Sequence, residues 1–297
     1  MIEAILEGVC YIPYRFRGWS HQQRLGRRQS RLRGGGLEFD RIRPYQPGES
    51  TRRINWTATA RQGNRSLFVN TYYEDKALTV MLVVDLSASM DFGTKRLTKK
   101  ALAAELSASL VYSALMSNDR IGLLGFTSEV ACYIPPGQAR HYQWLIPQAI
   151  LQYDSTRARA DCWAMVTALQ RRLKHRALVF LFSDFLTAEP TQLARTFEVL
   201  RYQHDVVSIM VSDPREMDLP AGSGRMVTRD LETGQIAAYR FSRRNQRRMV
   251  RTAQARQQQL QALWQRLGID HVTVTAASNY HEDLTQMFLM SRGRVRR

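Results

Sequence analysis

The sequence predicts an α/β fold: a doubly wound, mostly parallel sheet with helices on both faces. Three observations carry this. Two runs, Thr79-Val80-Met81-Leu82-Val83-Val84 and Leu178-Val179-Phe180-Leu181-Phe182, are almost wholly apolar, as expected of strands buried on both faces of a parallel sheet. Each ends abruptly in polar residues, Asp85 in one case and Ser183-Asp184 in the other. Helical periodicity fills the stretches between such runs, and strands alternating with helices require crossover connections.

Taken in order, residues 1–34 read as a basic N-terminal leader. Residues 35–76 carry turn signals (with Gly34-Gly35-Gly36 at their start, then Pro44, Pro47-Gly48 and Gly63-Asn64) between short apolar or β-branched pieces, so this front segment is expected to form short strands and loops. The sheet domain is expected to span 77–297. After its first strand, Leu102, Leu106, Leu110 and Ala114 recur every four residues, one stripe of an amphipathic helix. Residues 121–126 form a strand and 130–134 an edge strand, followed by helices near 138–151 and 161–174. Beyond the second apolar run come a helix near 190–203, a strand over 206–211, a long helix over 242–267, a strand over 271–274 and a last helix from 280. Residues 214–240 interrupt this alternation, and Glu232-Thr233-Gly234 between β-like pieces reads as an inserted hairpin.

Composition bounds the function. With 297 residues, 44% hydrophobic and 23% charged, the chain can bury a substantial core. The net charge of +17 is unusual and comes mostly from arginine. Seven arginines lie between Arg15 and Arg33 and seven more between Arg240 and Arg256, with no acid in either stretch. Arg15, Arg17, Arg24, Arg27 and Arg28 at one end, and Arg243, Arg244 and Arg247 at the other, are candidate contacts for acidic protein surfaces, nucleic acid or anionic lipid. The competing reading is that they are solvated faces. Three widely spaced cysteines, Cys10, Cys132 and Cys162, argue against a disulfide framework or a zinc site. No apolar run approaches the ~20 residues that span a bilayer, and Glu3 and Glu7 stand where a signal peptide would be basic. A cytoplasmic protein is expected, with peripheral contact at the inner membrane through the arginine-rich end left open.

The acids at the strand ends carry the candidate chemistry, because ligands of open parallel sheets sit beyond the carboxyl ends of the strands. In Asp85-Leu86-Ser87-Ala88-Ser89, positions i, i+2 and i+4 can turn toward one point, and Asp184 follows another strand. Two carboxylates and two hydroxyls form an all-oxygen set suited to a hard cation such as Mg²⁺, or Mn²⁺ or Ca²⁺. Alternatively, the serines cap the following helix and Asp85 binds backbone amides.

Asp85-Leu86-Ser87-Ala88-Ser89-Met90 resembles the metal-ion-dependent adhesion motif of von Willebrand factor A domains. The front segment, with Glu38, Phe39, Asp40, Arg43, Tyr45, Pro47, Gly48, Glu49, Arg52, Ile54, Asn55, Trp56, Ala60 and Arg61, is similar to the signature of a bacterial family, domain of unknown function 58. The pieces Asp213-Pro214-x-Glu216-x-x-Leu219-Pro220 and Asp230-x-Glu232-Thr233-Gly234 extend that resemblance, which runs from about residue 35 to the end of the chain. It implies a von Willebrand factor A-type fold and a non-catalytic adaptor that binds a MoxR-type AAA+ ATPase and its targets through a metal site of Asp85, Ser87, Ser89 and Asp184. The chain departs from the pattern where such domains add a threonine ligand, since that position falls on Ala160, with Ser155 or Thr156 as substitutes nearby. It also has Glu49 and Asn55 where the front signature usually has aspartate.

Enzyme classes find little support. An aspartyl-nucleophile phosphatase wants a second acid two residues after the first, where this chain has Ser87, and there is no GxSxG elbow or GxxxxGK[ST] loop. The runner-up is nucleic-acid binding, with Tyr11, Tyr14, Phe16 and Trp19 interleaved among Arg15, Arg17 and Arg24. Against it stands packing of those aromatics onto the domain. Trp56 and Trp163 are expected in the core or at a domain seam, and Arg43, Arg52, Arg53 and Arg61 in an ion-pair network with Glu38, Asp40 and Glu49.

Overall fold

A computed structural model of the chain describes residues 5, 7–14, 33–34, 38–61, 63, 66–73, 77–156, 158–186, 189–217, 224–229, 231 and 234–294. The chain divides into two units, one of residues 17–77 and one that joins 1–16 to 78–297. Arg15, Arg17, Arg24, Arg27 and Arg28, like Phe16 and Trp19, lie outside the described residues.

The smaller unit is a three-stranded antiparallel sheet. Strands β1 (Arg33–Gly34) and β2 (Glu38–Pro44) flank β3 (Phe68–Tyr73), and helix α1 (Trp56–Arg61) lies between β2 and β3 in sequence. Asn55 starts α1 by accepting the Ala58 amide at 2.9 Å, and its amide nitrogen donates to Asn70 on β3. Gly48 turns the chain with φ of 98°, a conformation that side-chain-bearing residues rarely adopt.

The larger unit holds a six-stranded sheet: β4 (Thr79–Asp85), β5 (Arg120–Phe126), β6 (Val130–Gly137), β7 (Leu178–Ser183), β8 (Asp205–Ser212) and, last in sequence, β11 (Asp270–Thr275). Their spatial order is β11-β8-β7-β4-β5-β6, parallel throughout except for the antiparallel edge strand β6. Helices α2 (Lys99–Met116), α3 (Tyr142–Gln152), α4 (Cys162–Arg172), α5 (Pro190–Gln203), α6 (Pro214–Met217), α7 (Arg243–Leu267) and α8 (Tyr280–Arg294) connect the strands or close the chain. The insertion holds an antiparallel hairpin of β9 (Gly224–Arg229) and β10 (Ile236–Phe241).

Alternation along β4 explains its apolar run. Val80, Leu82 and Val84 enter one core with α2, α3 and α8, whereas Met81 and Val83 enter the other with α4, α5 and α7. Helix α2 departs from expectation. It is buried on nearly every side rather than along one stripe, because Ile5 and residues 7–14 cover it as an extra layer. Ser109 accepts the Cys10 amide at 3.3 Å, Ser113 accepts the Ile12 amide at 2.7 Å, and the Tyr14 hydroxyl donates to Asp119 at 2.8 Å. Ile5, Ile12 and Tyr14 are buried, and burying a side chain of this size contributes roughly 1.5–3 kcal/mol. Tyr14 is thus a core residue and unavailable for stacking on a base.

Candidate functional site at the carboxyl edge of the sheet

Asp85 ends β4 in the middle of the sheet, and the register that pairs Val84 with Phe182 sets it beside Ser183 at the end of β7. Its carboxylate is buried. One oxygen accepts the Ser87 amide at 2.9 Å and the other accepts the Ser183 hydroxyl at 2.6 Å. The Ser87 and Ser89 hydroxyls lie 3.1 Å apart and bond each other, and neither caps the short 3-10 turn over Ala88–Asp91. The structure places Asp85, Ser87 and Ser89 beside one another, with Ser183 next to them. Burial first, then the charge of nearby Asp184, pushes the Asp85 pKa up to about 6, against the lowering effect of the Ser183 and Ser87 hydrogen bonds.

Asp184 has a partner that the sequence reading missed. Its Oδ2 accepts from the ammonium of Lys99 at 2.6 Å, and Oδ1 accepts the Leu186 amide at 3.1 Å. Lys99 lies in the first turn of α2, is 2% exposed, and also donates to Glu216 on α6 at 2.6 Å. Burial works against its charge, but the two carboxylates outweigh that and hold the lysine pKa above its ordinary value. Glu216 is itself fixed, accepting the Ser212 hydroxyl at 3.3 Å and the Asp213 amide at 3.1 Å. Asp213 accepts from the Thr94 amide at 2.7 Å and hydroxyl at 2.6 Å, which ties the loop before α2 to the end of β8. Although burial opposes it, these bonds, the Arg215 amide and the Lys99 charge hold the Asp213 carboxyl below its usual range. After Asp184 the backbone turns left-handed at Phe185, with φ of 53°, and Arg256 from α7 donates to the Phe185 carbonyl. A buried aromatic residue in that conformation is strained, and such strain persists only where packing enforces it.

The donor set does not fit a divalent cation as the side chains stand. Ala160 offers no ligand and packs against the second core. Ser155 is taken by the Lys100 ammonium at 3.0 Å, and the Thr156 hydroxyl bonds Asp154 in an exposed loop. A cation on the Asp184 oxygen that binds Lys99 would sit no more than about 5 Å from the ammonium, a repulsion of about 7 kcal/mol at an effective dielectric constant near ~20. Among the described residues, no group of three or more His, Cys, Asp or Glu side chains is placed to hold a metal. Cys162 is no nucleophile here: burial, then Asp85, Asp161 and Asp184, push its thiol up to about 12.

Two large apolar side chains meet solvent at this edge. Trp163, in the first turn of α4 just after the Asp161 cap, is 46% exposed, and Leu186 is 43% exposed. Trp56, like Trp163 expected in the core or at a domain seam, is 67% exposed in the smaller unit. In that unit Arg43 pairs with Glu49, the Tyr45 hydroxyl donates to the Glu49 carbonyl at 3.2 Å, and Pro47 and Gly48 make the exposed turn between them. Arg52 and Arg61 are exposed. Arg243 opens α7, while Arg244 and Arg247 lie exposed in its first turns. No helix among the described residues is long and apolar enough to cross a membrane.

A doubly wound sheet with one antiparallel edge strand, and an aspartate–serine loop at the carboxyl end of its central strand, defines a von Willebrand factor A-like domain. The chain belongs to the family described as protein of unknown function DUF58, whose model matches residues 41–260. A relative named "Uncharacterized protein Rv1480", from Mycobacterium tuberculosis (strain H37Rv), is 32% identical over 208 residues, covering 69% of this chain and 64% of the relative. The chain thus spans less than two thirds of the length of that curated relative. Among solved structures it is similar to BatB from Bacteroides thetaiotaomicron, at 13% identity over 73% of this chain and 100% of that one, with a TM-score of 0.46. It is also similar to a von Willebrand factor type A protein from Catenulispora acidiphila, at 10% identity over 74% and 43% of the two chains, with a TM-score of 0.40. The strand order, rather than these matches, defines the fold class.

Proposed function

We propose that this protein is a non-catalytic adaptor that presents the carboxyl edge of its sheet to a MoxR-type AAA+ ATPase and, through it, to that ATPase's targets in the cytoplasm. The observation that carries the reading is the pairing of a buried, internally bonded polar cluster with the exposed side chains of Trp163 and Leu186 on the same edge. A fixed polar floor beside an exposed tryptophan suits a docking face, where tryptophan is among the residues that contribute most to binding. The net charge of +17 favours an acidic partner surface. The contact is not routed through a metal ion, because Lys99 already neutralises Asp184.

The test is a direct titration of the purified chain with a purified MoxR-type ATPase from the same cell. Trp163→Ala is expected to weaken binding about thirtyfold, the size of a hot-spot truncation worth about 2 kcal/mol. Unchanged affinity would remove this edge from the contact.

A second reading, nucleic-acid binding, is favoured by Arg244, Arg247, Arg248 and Arg251, which lie exposed on α7, a helix without a single acid. Phosphate contacts would make affinity for a DNA duplex or an RNA fall steeply with added salt. A flat salt profile would dismiss this reading.

A further inference from the structure

We propose that Lys99 is the built-in counter-ion of Asp184, so that its ammonium neutralises a carboxylate that the related loop motif would turn to a divalent metal, and the site operates without one. The inference concerns the site itself and holds whichever partner docks there.

Both carboxylates that a metal would recruit are already engaged by donors within the chain, and the two hydroxyls bond each other. Asp85 accepts from the Ser87 amide and the Ser183 hydroxyl, Asp184 accepts from Lys99 and the Leu186 amide, and Ser87 bonds Ser89. The ammonium is delivered across the strand ends from the first turn of α2, and the residues that position it are themselves fixed. Glu216 receives the second Lys99 bond while being held by Ser212 and Asp213, and Asp213 anchors Thr94 in the loop that leads into α2. A buried lysine needs such pairing, since an uncompensated charge in the interior is strongly disfavoured. The missing donor at Ala160 and the engagement of Ser155 by Lys100 agree with a site that has no coordination sphere to complete. An ammonium with fixed hydrogen-bond directions gives the edge a permanent geometry, independent of metal supply.

The experiment compares the full chain with Lys99→Met, a side chain of similar length without charge, by thermal melting and calorimetric titration with Mn²⁺ in a chelator-treated buffer. The wild-type protein is expected to melt at the same temperature with and without Mn²⁺ and to take up no ion. Lys99→Met is expected to melt lower in chelator, to recover as Mn²⁺ is added, and to bind one ion more than about a hundredfold more tightly than the wild type. Asp184→Asn in the Lys99→Met background is expected to abolish that recovery. One Mn²⁺ bound per wild-type chain, with a rise in melting temperature that Asp85→Asn removes, would overturn the proposal. So would a folded Lys99→Met protein that stays indifferent to Mn²⁺. If Lys99→Met does not fold, the wild-type titration still decides, and Lys99→Arg, which keeps the charge, is expected to remain folded and silent to metal.

Discussion

Asp85→Asn is expected to raise the stability of the protein at alkaline pH and to leave it nearly unchanged in mild acid. Burial and Asp184 lift the folded-state pKa of Asp85 from 3.8 to about 6. The folded chain therefore binds more protons at this position than the unfolded chain between those values, and the linked stability falls as pH rises through about 6. The shift is a little over two units, and at about 1.36 kcal/mol per unit the ionised carboxylate costs about 3 kcal/mol at pH 8 and about 1 kcal/mol at pH 4.5. Asparagine keeps the acceptor for the Ser87 amide. Its Nδ2 can donate to Ser183, which loses its own acceptor at a cost of about 1 kcal/mol. The variant should then exceed the wild type by about 2 kcal/mol at pH 8 and match it at pH 4.5. Guanidinium unfolding of both proteins at the two pH values measures the difference directly. An identical gap at both pH values would refute the account of Asp85 as a carboxylate whose charge is opposed by its surroundings.

Two further perturbations probe the same larger unit. His204 is buried with neither ring nitrogen bonded, and burial, followed by the charge of Arg176, lowers its pKa. The unfolded chain thus takes up the proton first, and stability is lost as pH falls below the ordinary histidine value; His204→Leu should flatten the unfolding free energy between pH 7 and 5, and an unaltered slope would count against this. Tyr14→Phe deletes the hydroxyl that donates to buried Asp119 and should cost about 1.5–3 kcal/mol, the range for a bond to a charged group, read as a lower melting temperature.

The strands and helices of the larger unit were legible because burial on both faces forces unbroken apolar runs. The helix expected over 190–203 and the strands over 206–211 and 271–274 agree with Pro190–Gln203, Asp205–Ser212 and Asp270–Thr275 to within a residue or so. The surroundings of α2 were not legible. Its outer face is made of Ala and Ser side chains, which hide equally well against water or against protein, and the segment that covers it lies about a hundred residues earlier in the chain. Asp85 and Asp184 announced themselves at the strand ends, but Lys99 did not, because a lysine at the start of a helix usually reaches water. One signal was present: Lys99 stands three, seven and eleven residues before Leu102, Leu106 and Leu110, on their stripe, where a charge must find an opposite one. Glu216 belonged to the motif shared with the family, yet nothing in its spacing tied it to a helix more than a hundred residues away. Trp56 and Trp163 went the other way: both stand exposed, and composition alone does not separate an exposed large apolar side chain from a buried one.

The covering of α2 by Ile5 and residues 7–14 has a consequence for how the chain is made. During synthesis these residues precede their partners: Ser109, Ser113 and Asp119, to which Cys10, Ile12 and Tyr14 bond, are joined to the chain 99 to 105 residues later. At roughly 5–20 residues per second, Ile5, Ile12 and Tyr14 stay without their seat for several seconds, while the whole of the smaller unit is translated between them and it. A segment that leaves the ribosome about a hundred residues ahead of its seat thus waits for it, and closes over a helix that must already be formed.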